Sequence, residues 1–300
     1  VASSSIERFT VRYYEAKFYD DGKPKRFSDF LQKIISGDIA LPVRSLAGDT
    51  SAFQVRGLHT VDNGQEYRGY FVRFRSQRPV IGTRESLDEK HLELKEGEEI
   101  LERNYFTIFA GERYDVIAFQ VSFEGGSINA LVRYLSAIAG DTAMVSFNDI
   151  LTEESLEALM KGGVIKHVEF RVAKPRAKRW QPDPEDTWTQ NAIDFMNQTG
   201  GTTFQAKIAT QAHNKGLLSD VGKAVKALLA SSQTRKLKVK MSSTTEPIDL
   251  FADRIKDRIE VALINGQIDS TEMYKAIWAS KMKIEPALAA YLDSKHETLD

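Results

Sequence analysis

Residues 104–123 read NYFTIFAGERYDVIAFQVSF. Two alternating runs, rich in aromatic and β-branched residues, flank Ala110, Gly111 and Glu112, a break whose length and composition suit a hairpin. A hairpin joins its strands antiparallel, so this stretch sets the character of the sheet around it. Upstream, SAFQVRGLHTV (51–61), EYRGYFVRFRS (66–76) and RPVIGTR (78–84) read as further strands of a meander, separated by DNGQ and SQ turn chemistry. Further back, IERFTVRYYEAKFYD (6–20) alternates, DDGKPK turns, and FSDFLQKIIS (27–36) repeats Phe27, Phe30, Leu31, Ile34 and Ile35 at helical spacing.

Downstream, SINALVRYLSAIAG (127–140) is an amphipathic helix with Ile128, Leu131, Val132, Leu135 and Ile138 on one stripe and Gly140 at its close. AMVSFNDI (143–150) is strand-like. TEESLEALMKGG (152–163) is a helix with Thr152 as N-cap, acids in its first turn, and Lys161 and Gly162 at its end. Beyond Gly163 the period switches repeatedly: strand HVEFRV, helix DTWTQNAIDFMNQT, strand TFQAKIA, helix LSDVGKAVKALLA, strand RKLKVKM. Such β-α-β-α-β alternation predicts a sheet covered by helices. EPIDLFADRIKDRIEVALINGQID mixes helical and alternating signals and leaves the class of 246–268 open. Ser270 to Leu292 is helical, with Met273, Tyr274, Ile277 and Trp278 at packing positions and Pro286 interrupting or starting a last helix. The pattern predicts an α+β protein of two domains: an N-terminal α+β domain over 1–163, a basic α/β domain over 164–247, and a mostly helical extension over 248–300 packing on the basic domain.

With 300 residues, 42% hydrophobic and 28% charged, the chain can bury a substantial core. It has no cysteine, which removes disulfides, thiolate nucleophiles and cysteine-ligated zinc and fits a reducing, cytoplasmic compartment. No apolar run approaches the ~18 residues of a membrane span, and VASSSIERF lacks the features of a signal peptide. The net charge of −1 conceals an asymmetry. Lys161 to Lys240 holds 15 basic and 6 acidic residues, while the rest holds 26 and 36. A local excess of nine positive charges attracts polyanions.

RKLKVKM alternates, placing Lys236, Lys238 and Lys240 opposite Leu237, Val239 and Met241. Arg171 and Lys174 lie in and just after the first basic strand, and Arg176, Lys178, Arg179 and Trp180 follow in KPRAKRW. Lys215, Lys223 and Lys226 lie at or on the intervening helix. If these elements converge, their cations can follow a phosphate backbone while Trp180 stacks on a base. The plainer reading is a solvated strand face protected against edge pairing.

Rival chemistry is thinner. Asp249, Asp253 and Asp257 at four-residue steps would line one helix face and hold a hard cation, although interleaved Arg254, Lys256 and Arg258 make an ion-paired surface the simpler account. Asp88 with Glu93 and Lys95 resembles the Glu-x-Lys unit of metal-dependent nucleases, inside what reads more simply as an acidic solvated run. The histidines 59, 91, 167, 213 and 296 show no HxH or HxxxH spacing, and no phosphate-loop, nucleophile-turn or dinucleotide glycine motif occurs.

The order of VRYYEAKF, RFSDFLQKI, EYRGYFVRFR, the hairpin before SINALVRYLSAIAG, HVEFRVAKPRAK and GLLSDVGKAV resembles the RexA-like exclusion proteins of temperate phages and related phage and bacterial defence proteins, over about residues 10–240. The resemblance implies two domains, dimer formation, DNA binding with little sequence preference, and action in phage exclusion beside a membrane-protein partner. It carries over no catalytic residue. The combined expectation is a non-enzymatic, cofactor-free binder of DNA, or of RNA, acting as a homodimer. The rivals are a metal-dependent nuclease and a protein–protein adaptor that senses a phage component.

Overall fold

The computed structural model describes residues 4–75, 79–82, 88–112, 114–150, 164–175, 186–210, 216–217, 221–231, 233–242, 247–250 and 254–297. The fold is α+β, with mainly antiparallel sheets. The larger sheet is organised on β1 (Ser4–Asp20), a strand of 17 residues. Along one edge of β1, Ser4–Arg12 pairs with β15 (Lys256–Ile264) and Tyr14–Asp20 with β10 (Ala143–Asp149). On the other edge lie β9 (Asp115–Val121) and, beyond the two-residue turn at Asp21 and Gly22, the short β2 (Lys23–Lys25). Both turn residues have positive φ, 49° and 70°, the hand that matches the twist of paired strands.

From β9 the sheet continues through β8 (Ile100–Ala110), β5 (Glu66–Arg75), β4 (Ala52–Val61) and β3 (Arg44–Ser45); β16 (Gln267–Ile268) closes the far side. The hairpin expected at 110–112 is present, with Ala110 opposite Asp115. The meander holds for β4 and β5. RPVIGTR does not continue it: among the described residues β6 (Val80–Gly82) pairs with β7 (Glu89–His91), in a separate two-stranded sheet.

Both faces of the large sheet are covered at its centre, which is why Tyr13, Tyr14, Glu15 and Ala16 are buried in succession. One face packs against α1 (Phe27–Ile35) and α2 (Ile128–Ala139). The phenylalanines of α1 and the strands interlock there, Phe18 stacking on Phe30 at 4.7 Å and Phe53 on Phe71 at 5.4 Å. Full burial of one such ring stabilises by about 1.5–3 kcal/mol, so this layer anchors the sheet. α2 begins where Ser127 accepts a hydrogen bond from the Ala130 amide at 3.1 Å.

The opposite face carries α5 (Ser270–Glu297), with Met273, Ile277, Leu288 and Leu292 packed in one cluster with Val11, Tyr13, Tyr105 and Ala118. A polar chain locks it in place: the Tyr13 and Ser280 hydroxyls lie 2.6 Å apart, and Ser280 donates to Asp257 at 2.9 Å. α5 runs through Pro286 without a break. Pro286 removes a hydrogen bond to the carbonyl of Met282, and both residues lie on the exposed side, where water can take that bond. Trp278, expected to pack, is 47% exposed.

The second sheet has the order β12 (Thr203–Ala209), β11 (Ile165–Ala173), β13 (Thr234–Met241), β14 (Ile248–Asp249), antiparallel throughout. α3 (Thr187–Thr199), capped by Asp186, and α4 (Val221–Ala230) cover its inner face, where Val168, Phe170, Val172, Leu237 and Val239 meet Ala192, Met196, Val225 and Leu228. α4 also touches β10, and the apolar cluster runs on from this layer to α5 and the large sheet.

The C-terminal extension departs from expectation. It does not simply pack on the basic layer: β14 joins the second sheet, while β15 crosses to pair along β1 and α5 lies on the large sheet. The reason is the period. KDRIEVALI alternates cleanly, with Ile259 and Val261 buried and Arg258, Glu260 and Ala262 exposed, so the run forms a strand, and Asp257 within it shares no helix face with Asp249 of β14. Asp253, the expected helix over 152–163 and the boundary at 163 lie outside the described residues. No helix among the described residues is long and apolar enough to cross a membrane.

Candidate functional site

The outer face of the second sheet is set by the period of three strands. β13 buries Leu237, Val239 and Met241 against the helices and turns Lys236, Lys238 and Lys240 outward, as the alternation predicts. Pairing then brings new neighbours into line. Lys236 lies opposite Arg171, Lys238 opposite Glu169, and Lys240 opposite His167; across β11, Glu169 faces Lys207 and Arg171 faces Gln205. Lys238 also lies opposite Asp249. Five cations and two carboxylates therefore share one face.

The carboxylates are engaged. Lys236 Nζ is 2.5 Å from Glu169 Oε1, to which Gln205 Nε2 also donates at 3.1 Å, and Lys238 Nζ is 3.2 Å from Asp249. The hydrogen bond from Lys236, then the charges of Lys236 and Lys207, hold the Glu169 carboxyl below its ordinary range. Burial, followed by the charges of Lys207 and Lys240, pushes the His167 imidazole down, which favours its neutral form. Arg171, Lys207 and Lys240 have no carboxylate partner among the described residues. Ion pairs as exposed as Lys238 with Asp249 are worth about 0–1 kcal/mol, so an incoming phosphate competes with them at small cost.

The structure gathers only part of the expected set. Arg171, Lys236, Lys238 and Lys240 share the face, and Lys174 follows β11 at its edge, where its amide donates to Thr202. Lys223 and Lys226 do not join them. They are exposed on α4, whose Val225, Leu228 and Leu229 face the sheet from the inside, so the thickness of the layer separates them from the strand lysines. Arg176, Lys178, Arg179, Trp180 and Lys215 lie outside the described residues. Lys207 is the cation that the sequence reading passed over. Its signal is the alternation of TFQAKIA, which puts Thr203, Gln205 and Lys207 on one side; only the strand order shows that this side continues the lysine face.

The metal readings gain no geometry. Among the described residues no group of three or more His, Cys, Asp or Glu side chains could hold a metal ion. Asp88, Glu93 and Lys95 are exposed on either side of β7, which belongs to the separate two-stranded sheet, and Asp257 is spent on Ser280 and Lys283. A cavity of about 90 Å³ between the β8–β9 hairpin and α5, lined by Phe109, Tyr114, Lys281 and Glu285, is too small for an organic substrate.

A family model described as a family of unknown function (DUF6731) matches residues 44–284, a span that takes in strands of both sheets and half of α5. Neither the curated proteins nor the solved structures contain a match.

Proposed function

The chain belongs to the DUF6731 family of unknown function, and we propose that it is a non-enzymatic, largely sequence-independent nucleic-acid binder. The observation that carries this reading is the outer face of the second sheet, where Arg171, Lys207, Lys236, Lys238 and Lys240 outnumber Glu169 and Asp249. Lysine ammonium groups on a twisted strand are point charges without a fixed fork, suited to phosphates and poor at reading base edges. DNA is the proposed ligand. Homodimer formation, a membrane-protein partner and a role in phage exclusion follow from the resemblance to the RexA-like proteins alone.

The experiment is a salt series of fluorescence anisotropy with a labelled duplex. Affinity is expected to fall linearly on a log–log plot against salt. Replacing Lys236, Lys238 and Lys240 together by Ala should reduce the slope by about 2–3, since each lost phosphate contact removes about 0.9. An unchanged slope in the triple variant, or no binding by the parent protein at about 50 mM salt, sinks the reading.

A further inference from the structure

A second set of cations lies on the large sheet, in the chain that outside residues 161–240 is net acidic. On the α5 side of β4, β5 and β8, registration places Arg56 opposite Tyr70, Tyr70 opposite Tyr105, Val72 opposite Arg103, and His59 opposite Arg68. Arg103 and His59 are exposed, and Arg56 and Tyr70 are half-buried. Glu66 is the one carboxylate among the positions of these three strands on this side, and Arg68 takes it at 2.6 Å. Arg56 instead donates to the Gln54 amide oxygen at 2.7 Å, and Arg103 has no carboxylate partner among the described residues.

The guanidiniums lie over rings. Arg103 sits 5.0 Å above the centre of Tyr70, and Arg56 sits 5.3 Å above Phe74. The backbone is shaped to allow this. β4 has a register shift between Arg56 and His59, and Gly57 within it has φ +62°; a Cβ there would stand 2.8 Å from Tyr70 Cε1. The missing side chain is what lets the Tyr70 ring lie against β4, with Arg103 over it and Tyr105 5.9 Å away. Tyr105 is held in turn by the Tyr274 ring of α5 at 5.6 Å. The side chains are thus ordered before any ligand arrives, which lowers the entropy lost on binding.

We propose that this face binds single-stranded nucleic acid, with unpaired bases stacking on the Arg103 and Arg56 guanidinium planes and phosphates taking their free N–H groups. Guanidinium groups stack on planar rings, Arg103 is exposed, and an unpaired base offers a π-face of matching size. The net positive charge selects an anion, and guanidiniums set among aromatic rings favour planar rings; a single strand supplies both at close spacing. A duplex hides its base faces and gains little here. The inference uses none of the residues of the second-sheet face and stands or falls separately from it.

The test compares the full chain with Arg56→Lys/Arg103→Lys and with the Lys236, Lys238, Lys240 triple Ala variant. Anisotropy is read with a labelled oligothymidylate of about 15 nucleotides and with a duplex of equal length. Lysine keeps the charge but not the stacking plane. The double variant is expected to lose tenfold or more in affinity for the single strand and less than twofold for the duplex, whereas the lysine triple variant weakens duplex binding with the smaller effect on the single strand. If far-UV circular dichroism shows that the double variant does not fold, Arg103→Lys alone, at an exposed position, carries the comparison. Single-strand affinity equal to the parent in the folded variant, or absent from the parent, overturns the proposal.

Discussion

Glu169 sits in the middle of the cationic face, opposite Lys238 on one side and Lys207 on the other, with its carboxylate held by Lys236 and Gln205. A binder of phosphates gains nothing from a negative charge there. Glu169→Gln keeps the shape and the hydrogen bond from Gln205, frees Lys236, and removes the charge that faces an incoming phosphate. Affinity for duplex DNA at low salt is expected to rise about fivefold, ~1 kcal/mol, with a steeper salt dependence. Weaker binding in a folded Glu169→Gln protein would show that the carboxylate organises the site, and unchanged binding that the face is not used. Lys236, Lys238 and Lys240 were legible from period two alone. Glu169 as their neutraliser was not, because its cross-strand neighbours depend on strand order and register, and no hairpin turn joins β11 to β13 to fix them.

Among the elements, those with one strong period were legible: α1, α2, the β8–β9 hairpin, β11 and β13 all fall where spacing puts them. β15 was ambiguous for a physical reason. Acids at 249, 253 and 257 mimic a helical repeat, while Ile259 and Val261 repeat with period two, and pairing with β1 decides the contest. The approach to β15 also explains a buried charge. Arg254 Nη2 reaches Asp149 at 2.9 Å, next to the Ile255 amide that donates to the Ile150 carbonyl, so the pair ties β10 to the entry of β15. Burial pushes the Asp149 carboxyl up to about 6, against the pull of Arg254 and Arg12. An unfolded aspartate titrates near ~4. Between roughly pH 4 and 6 the native chain therefore binds more protons at this site than the unfolded chain, and the site's contribution to stability falls as pH rises through that window. Asp149→Asn removes the titration. Urea unfolding of both proteins at several pH values should show the wild-type stability, taken relative to Asp149→Asn, declining by about 2–3 kcal/mol from pH 4 to 7. A flat or rising difference rejects the assignment.

At the scale of the molecule, the sequence pattern suggested separate domains, because the charge balance changes sharply near residue 161 and two glycines follow. The packing joins what the charge divides. One apolar cluster contains Val11, Tyr13 and Tyr105 of the large sheet, Ile150, Leu250 and Ile255 at the crossings, and Val168, Leu237 and Leu228 of the second layer. The chain enters the second sheet after β10 and returns through β14 to β15, so the large sheet lacks a strand until the C-terminal segment is in place. Long-range closure of that kind is invisible to periodicity and argues for one cooperative unit. Denaturant unfolding followed by far-UV circular dichroism and by tryptophan fluorescence is expected to give coincident transitions, since the summed fluorescence of the three tryptophans includes Trp188 on α3 and Trp278 on α5 and so samples both layers. Leu250, fully buried at the return crossing, sharpens the test. Leu250→Ala should cost about 2–5 kcal/mol and move both signals by the same amount, because a cavity there weakens the cluster that both layers share. Two separated transitions, or a shift confined to one of the two signals, would show that the second layer unfolds by itself and that the seam contributes little to holding the sheets together.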